Sequence, residues 1–284
     1  MSPTQEPETL QPHTLKSNYC FAVLAPNAGV NVGSKGGLFL RDTRHLSEYR
    51  WGFGPLILLA DAVGTDWLFQ HWGLLEDRAQ SVAVARTFRL LPDGFEDELL
   101  ITNESADKND LSVSLTYDAD FRDVFETRGR SRQSIGRNEV QRHGANFRYL
   151  TQDDVICTTE LKFINFLPGE KIPLKPREQR LISVRGTFSS SRHGREPAAP
   201  TAPWTERVGT VRSKLPRVNS QAFDDIDMLM ASSPHGPVIL TGVPYYVNIF
   251  GRDSLMASWF LLSGAPGVAE STLRVLAEYQ GKRD

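Results

Sequence analysis

The chain has only two cysteines, Cys20 and Cys157, in 284 residues. They lie far apart and without metal-ligand spacing, so a disulfide scaffold and a thiolate metal site both drop out. Two idle thiols in a reducing compartment are expected instead. No apolar run approaches the ~20 residues that span a bilayer. The opening Met-Ser-Pro-Thr-Gln-Glu-Pro-Glu lacks a basic and an apolar region, so no secretory leader is read and a cytoplasmic protein is expected. Charge of one sign is also missing: 32 Lys and Arg stand against 34 Asp and Glu. That balance gives no field for nucleic acid or an anionic membrane. Helical periodicity is absent before Arg217. No metal ligand set and no cofactor is expected.

What is present is a soluble composition, 40% hydrophobic and 23% charged, in a length suited to one large domain or two ordinary ones. Residues 1–18, rich in Pro and polar groups, read as a disordered lead-in. From Tyr19 short apolar runs alternate with turn residues: Cys20–Leu24, Gly37–Leu40, Leu46–Phe53 and Leu56–Leu59. Val82–Leu90 places Val82, Val84, Phe88 and Leu90 on one face, with Arg86 as the flaw in the pattern. Leu111–Tyr117 is apolar at each odd position. Between them, Glu98–Thr102 runs into the turn-forming cluster Asn103-Glu-Ser-Ala-Asp-Lys-Asn, which predicts a hairpin. With Val155–Phe163 and Gln179–Arg185, the pattern predicts an antiparallel β-sandwich over 19–186. Trp51, Trp67 and Trp72 are expected in its core.

Residues 187–216 shift to Ser, Pro and Ala and read as a linker. Beyond them the period changes to about 3.6, predicting helices over 217–284. Ser220 caps the first, with Phe223, Ile226 and Met230 on one face. A second runs from about Arg252 to Ser263, burying Leu255, Met256, Trp259, Phe260 and Leu262 and stopping at Gly264. A third runs from Pro266 to about Gln280, burying Ala269, Leu273 and Leu276, with Gly281 as its stop.

Three polar stretches stand out. Asp42-Thr-Arg-His-Leu-Ser47 gathers an acid, a base and a histidine; it reads as a turn in which Arg44 pairs with Asp42. Arg128–Arg148 carries six arginines among glycines and polar residues, the pattern of a long hairpin with a solvated face. Gly242-Val-Pro-Tyr-Tyr-Val-Asn-Ile-Phe-Gly-Arg-Asp places Arg252 and Asp253 at a helix mouth, with Tyr245 and Tyr246 just upstream. An aromatic floor with a bidentate donor and an adjacent acceptor suits a sugar. The local alternative is that Asp253 favours the positive end of its helix and Arg252 pairs with it.

The stretch Gly242-Val-Pro-Tyr-Tyr…Phe-Gly-Arg-Asp-Ser-Leu255 resembles the entry to the catalytic barrel of bacterial glycogen-debranching enzymes of the amylo-α-1,6-glucosidase type. That family often has Pro-Trp-Phe where this chain has Pro244-Tyr245-Tyr246. Asp42–Ser47 and Tyr117-Asp-Ala-Asp-Phe-Arg-Asp-Val-Phe-Glu-Thr-Arg-Gly129 resemble its N-terminal domain. The resemblance implies a multidomain protein, an N-terminal antiparallel β-sandwich followed by the first helices of an (α/α)6 toroid. It implies an α-glucan substrate, with Arg252, Asp253, Tyr245 and Tyr246 as substrate-binding residues and no catalytic acid or base among them. Twelve helices of ~12 residues with ~5-residue connections need on the order of 200 residues, and Arg217–Asp284 supplies 68. The expectation is a truncated toroid, inactive alone, with a separately encoded C-terminal portion as a further option to complete it. The alternative expectation is a non-catalytic carbohydrate-binding or assembly module.

Overall fold

The computed structural model describes residues 12–25, 29–30, 35–73, 82–129, 139–193, 200, 214 and 217–281. One layer is an eight-stranded antiparallel sheet. Its strands are β6 (Ile57–Val63), β7 (Trp67–Gly73), β8 (Val82–Leu91), β9 (Gly94–Asn103), β12 (Gln141–His143), β13 (Asn146–Leu150), β14 (Ile156–Ile164) and β16 (Gln179–Ser190). They lie in the order β12-β13-β14-β16-β9-β8-β7-β6. Facing it is the sheet β1-β2-β3-β4, made of β1 (His13–Ser17), β2 (Cys20–Leu24), β3 (Gly37–Leu40) and β4 (Thr43–Leu46). Two further pairs lie beside it: β5 (Glu48–Gly52) with β11 (Ser114–Asp118), and β10 (Asn109–Ser112) with β15 (Lys171–Leu174). The fold is thus a β-sandwich followed by helices, as the alternation of apolar residues predicts.

Core packing follows the strand period. Phe88, Phe95, Leu99, Ile101, Val184 and Phe188 of the large sheet meet Leu15, Cys20, Ala22, Leu38 and Leu46 of the small one. Arg86, the flaw in the sequence pattern, points into this core. Its Nε and Nη2 donate to Asp97 Oδ1 and Oδ2 at 2.8 and 2.9 Å, and its Nη1 donates to Gln70 at 2.9 Å. Tyr49 Oη and Trp51 Nε1 donate to the same carboxylate at 2.8 and 2.7 Å. A buried charge is tolerated only when paired and hydrogen-bonded this fully.

Several boundaries differ from the sequence reading. The lead-in ends earlier than residue 18, because β1 pairs with β2 from His13↔Leu24 to Ser17↔Cys20. Leu15 and Lys16 are buried there. The predicted hairpin after Thr102 does not form: β9 pairs with β8 and β16, and the chain crosses to the other layer, where β10 pairs with β15. The Asn103 side chain holds that crossover, donating to the carbonyls of Asp107 and Lys175 at 2.8 and 2.9 Å. β16 runs to Ser190, past the expected boundary at 186. Trp51 is buried and Trp72 packs partly on the core, whereas Trp67 sits on the outer face of the sheet. Of the arginine-rich stretch, Arg142 pairs with Asp118 at 2.9 Å, while residues 130–138 lie outside the described residues.

Among the described residues the C-terminal part holds three helices: α1 (Arg217–Leu229), α2 (Gly251–Phe260) and α3 (Pro266–Glu278). A hairpin that the sequence reading missed, β17 (Met230–Ser233) with β18 (Gly236–Ile239), lies between the first two. Met230 belongs to this hairpin and not to the helix face. Tyr19, Phe21 and Phe39, on the side of the small sheet away from the core, pack on Ala231, Val238, Leu240, Val247 and Val275. Apolar contact on both faces explains why Cys20-Phe-Ala-Val-Leu24 is apolar throughout. Lys16 Nζ reaches across to the carbonyls of Met228 and Met230, at 2.7 and 3.1 Å, where α1 ends. Burial lowers the Lys16 pKa to about 7.

The helix faces are the largest correction. In α2 the buried residues are Ser254 and Ser258, while Leu255, Met256, Trp259, Phe260 and the following Leu262 are exposed. In α3 Val268, Ser271, Thr272 and Val275 are buried and Leu273 is exposed. Small side chains let these helices approach the rest of the molecule, and the bulky apolar ones face outward. Gly264 is not a left-handed stop: α2 is capped at Leu261 and α3 at Tyr279, both in right-handed conformations.

Candidate functional site

The approach to α2 is a closed loop. Tyr245 and Tyr246 N–H groups both donate to Gly242 O, at 2.8 and 2.7 Å, and Thr241 bridges Asn248. Gly242 has φ of +85°, and a Cβ there would meet Tyr246 O at 2.5 Å, so the turn requires glycine. Phe250 precedes the helix, and its N–H donates to Ser254 Oγ at 3.1 Å. Asp253 then falls in the first turn, where the helix dipole favours an anion.

Arg252 and Asp253 form the local pair that the sequence allowed, Nε to Oδ1 at 3.1 Å, with side chains 88% and 51% exposed. Tyr245 is exposed and Tyr246 is half-buried. What organises the two tyrosines is Arg128, a residue of the Tyr117–Gly129 stretch. Its guanidinium lies 4.3 Å from the Tyr245 ring centroid and 5.2 Å from that of Tyr246, within cation–π range. Its Nη2 donates to Pro244 O at 3.4 Å. Phe125 packs on Tyr246 with centroids 5.4 Å apart.

The same stretch grips Asp42–Ser47. Arg44 N donates to Arg122 O at 2.8 Å, Val124 N to Asp42 O at 3.0 Å and Ser47 N to Asp118 O at 2.9 Å. Arg44 pairs with Asp120 and not with Asp42: its Nε donates to Asp120 Oδ1 at 3.0 Å. The stretches Asp42–Ser47, Tyr117–Gly129 and Gly242–Leu255, far apart in sequence, therefore converge on one corner of the molecule.

Residues 15–185, more than half of the chain, match the model of the N-terminal domain of (some) glycogen debranching enzymes. The chain belongs to this family. In this debranching-family chain the matched segment ends before α1, and the helix mouth lies beyond it. A solved structure described as a kojibiose phosphorylase from the human microbiome is similar at 11% identity with a TM-score of 0.37. The likeness covers 76% of this chain and 35% of that one, so the chain spans about a third of that protein's length. No curated protein matches the chain in sequence.

Between the sandwich and the C-terminal segment of this family member lies a cavity of about 450 Å³, which the sequence reading missed. Asp42 and His45 line it together with Asn248 from the α2 approach and Tyr279 from the end of α3. Burial and the nearby Asp123 raise the Asp42 pKa. His45, expected in a simple turn, is almost wholly buried, and burial lowers its pKa to about 3. Among the described residues no group of three His, Cys, Asp or Glu could hold a metal ion. Among them, too, no helix is long and apolar enough to cross a membrane.

Proposed function

We propose that this chain is the N-terminal portion of an α-glucan hydrolase of the debranching type, acting on α-1,6-glucosidic branch points. In this reading Arg252 and Asp253 hold hydroxyls of a terminal glucosyl ring, and Tyr245 and Tyr246 stack against it. The observation that carries the reading is the convergence of the three family-like stretches, with Arg128 fixing the tyrosines beside the helix mouth. Exposure of Arg252 supports it, since a guanidinium open to solvent can exchange its local partner for substrate oxygens.

These residues position and do not cleave. Glycoside hydrolysis needs two carboxylates flanking the scissile bond, one giving a proton and one activating water or attacking. Between Met228 and Ala269 Asp253 is the single acidic residue, so the segment that forms the helix mouth does not itself supply such a pair. We assign the acid and base to further helices of an (α/α)6 toroid. The exposed apolar side chains of α2 and α3 support this, because such faces pack on neighbouring helices. Those helices belong to the same polypeptide or to a separately encoded catalytic portion. The buried cysteines Cys20 and Cys157, which form no disulfide with each other, suit the reducing cytoplasm in which we place it. The second reading, a non-catalytic glucan-binding or assembly module, is favoured by the same exposed helix faces.

Electrophoresis of the 284-residue chain in gels containing glycogen limit dextrin tests the proposal. Retardation is expected, with at least a tenfold loss of affinity in Arg252→Ala and Asp253→Ala at unchanged Tm. A tenfold loss corresponds to about 1.4 kcal/mol, the scale of one charge-assisted hydrogen bond. Glucose release is expected to be absent. Retardation indifferent to both substitutions would remove the role of the helix mouth. Glucose release lost in Asp253→Ala would show that the chain carries its own acid and base.

A further inference from the structure

The cavity between the sandwich and the C-terminal segment is unused by this reading, and its wall holds a buried imidazole, His45, whose second nitrogen has no partner among the described residues. His45 is 1% exposed and lines the cavity. Its ring stacks on Phe188 with centroids 4.9 Å apart and stands edge-on to Phe121 at 5.3 Å. Nδ1 lies 3.1 Å from Thr158 O and 3.0 Å from Thr159 Oγ1. A carbonyl can only accept, so Nδ1 carries the proton. The Thr159 hydroxyl donates in turn to His45 O at 3.1 Å, which leaves the tautomer fixed by β14. Nε2 is then a bare lone pair, an acceptor inside a wall of the cavity. The depressed pKa keeps the ring neutral.

The rest of the lining specifies the ligand further. Tyr279, 78% exposed, offers an aromatic face, and Phe121 and Tyr149, stacked on each other at 5.7 Å, close the wall as a buried aromatic pair. Asp42 and Asn248 add oxygens and an amide. Carboxylates outnumber arginines in the wall: Asp42, Asp123, Glu126 and Asp153 stand with Arg192, which pairs with Asp153 at 3.4 Å, and Arg41, which lies over the Tyr19 ring at 3.7 Å. An anion such as phosphate finds no net positive field here. A neutral ligand rich in hydroxyl donors, with apolar ring faces to lay on aromatics, meets every one of these groups.

We infer that this cavity is a second sugar site, distinct from the helix mouth, in which His45 Nε2 accepts a hydroxyl and the sugar ring lies on Tyr279 beside Phe121 and Tyr149. That the sugar comes from an α-glucan rests on the function proposed above; the neutral polyol chemistry does not.

Amide shifts of the isotope-labelled chain during titration with maltotriose test the inference. Resonances of Thr43, Thr151 and Asn248 should move on titration. His45→Phe, which keeps the ring contacts and removes the acceptor, should weaken that response at least fivefold. Asn248→Ala, at an exposed side chain that accepts from Ile249 N, should do likewise. Arg252→Ala should leave it intact. If His45→Phe melts early, Asn248→Ala with Asp42→Asn decides the matter. A cavity that stays silent toward maltotriose, or responds equally in all cavity variants, overturns the site. That result, with glycogen retardation still lost in Arg252→Ala, would leave the helix-mouth proposal standing.

Discussion

At the scale of single residues, the most informative side chains are those that break the apolar pattern. Arg86 interrupts an otherwise clean strand face, and the sequence offers no way to name its partner. Asp97 lies 11 residues away, across the β8–β9 register at Phe88↔Asp97, and becomes the obvious partner only once that register is known. Asp97→Ala should remove acceptors from Arg86, Tyr49 and Trp51 together, leaving a guanidinium buried without its counter-charge. Such a break costs about 3–5 kcal/mol. Urea unfolding should show this loss; a change under about 1 kcal/mol would mean that the core admits water at Arg86. His45 teaches the same lesson. Its place beside Asp42 and Arg44 suggests a turn, but β4 carries it inward against Phe188, a residue 143 positions later. Local sequence can mark such a residue as unusual, whereas its role depends on long-range partners.

Elements were legible where the period of two was undisturbed and illegible where glycine or a crossover intervened. Gly186 reads as the end of a strand, yet β16 continues through it to Ser190. The reason is its neighbour. A Cβ on Gly186 would stand 2.1 Å from Phe95 Cε1, so the fully buried Phe95 ring occupies the side-chain space that glycine leaves. Gly186→Ala should therefore force the ring or the strand aside, at about 1–3 kcal/mol for overpacking. Phe95→Leu should relieve part of this in the double variant, read as a coupling in a thermodynamic cycle. Strictly additive losses would show that the strain lies elsewhere. The hairpin β17–β18 was missed for a different reason. Met230 falls at the spacing of Phe223 and Ile226, so helical period carries the eye across the end of α1. That end is marked instead by Lys16, some two hundred residues upstream, which binds the carbonyls of Met228 and Met230.

Across the whole molecule, the sequence identified a sandwich followed by helices but mistook which side of the helices is buried. Apolar residues of α2 recur at helical spacing, and the natural expectation is that this face turns inward. It turns outward, because the face toward the molecule is made of Ser254 and Ser258. Trp259 and Phe260 stack on each other with ring centroids 5.7 Å apart while remaining 61% and 73% exposed. Apolar side chains that contact little stabilise little, since the hydrophobic contribution scales with area removed from water. Replacing both, Trp259→Glu with Phe260→Glu, should leave the Tm of the chain within about 2 °C. A loss of 1 kcal/mol would shift Tm by about 2–4 °C in a chain of this size. The same pair of changes should shift the chain toward monomer in sedimentation at raised concentration, because a contiguous apolar patch is otherwise an association surface. A large fall in Tm would mean that the two rings already support the chain's own fold. An unchanged Tm with reduced self-association would assign them to a surface that other helices cover, which is what the toroidal reading of the helix mouth requires.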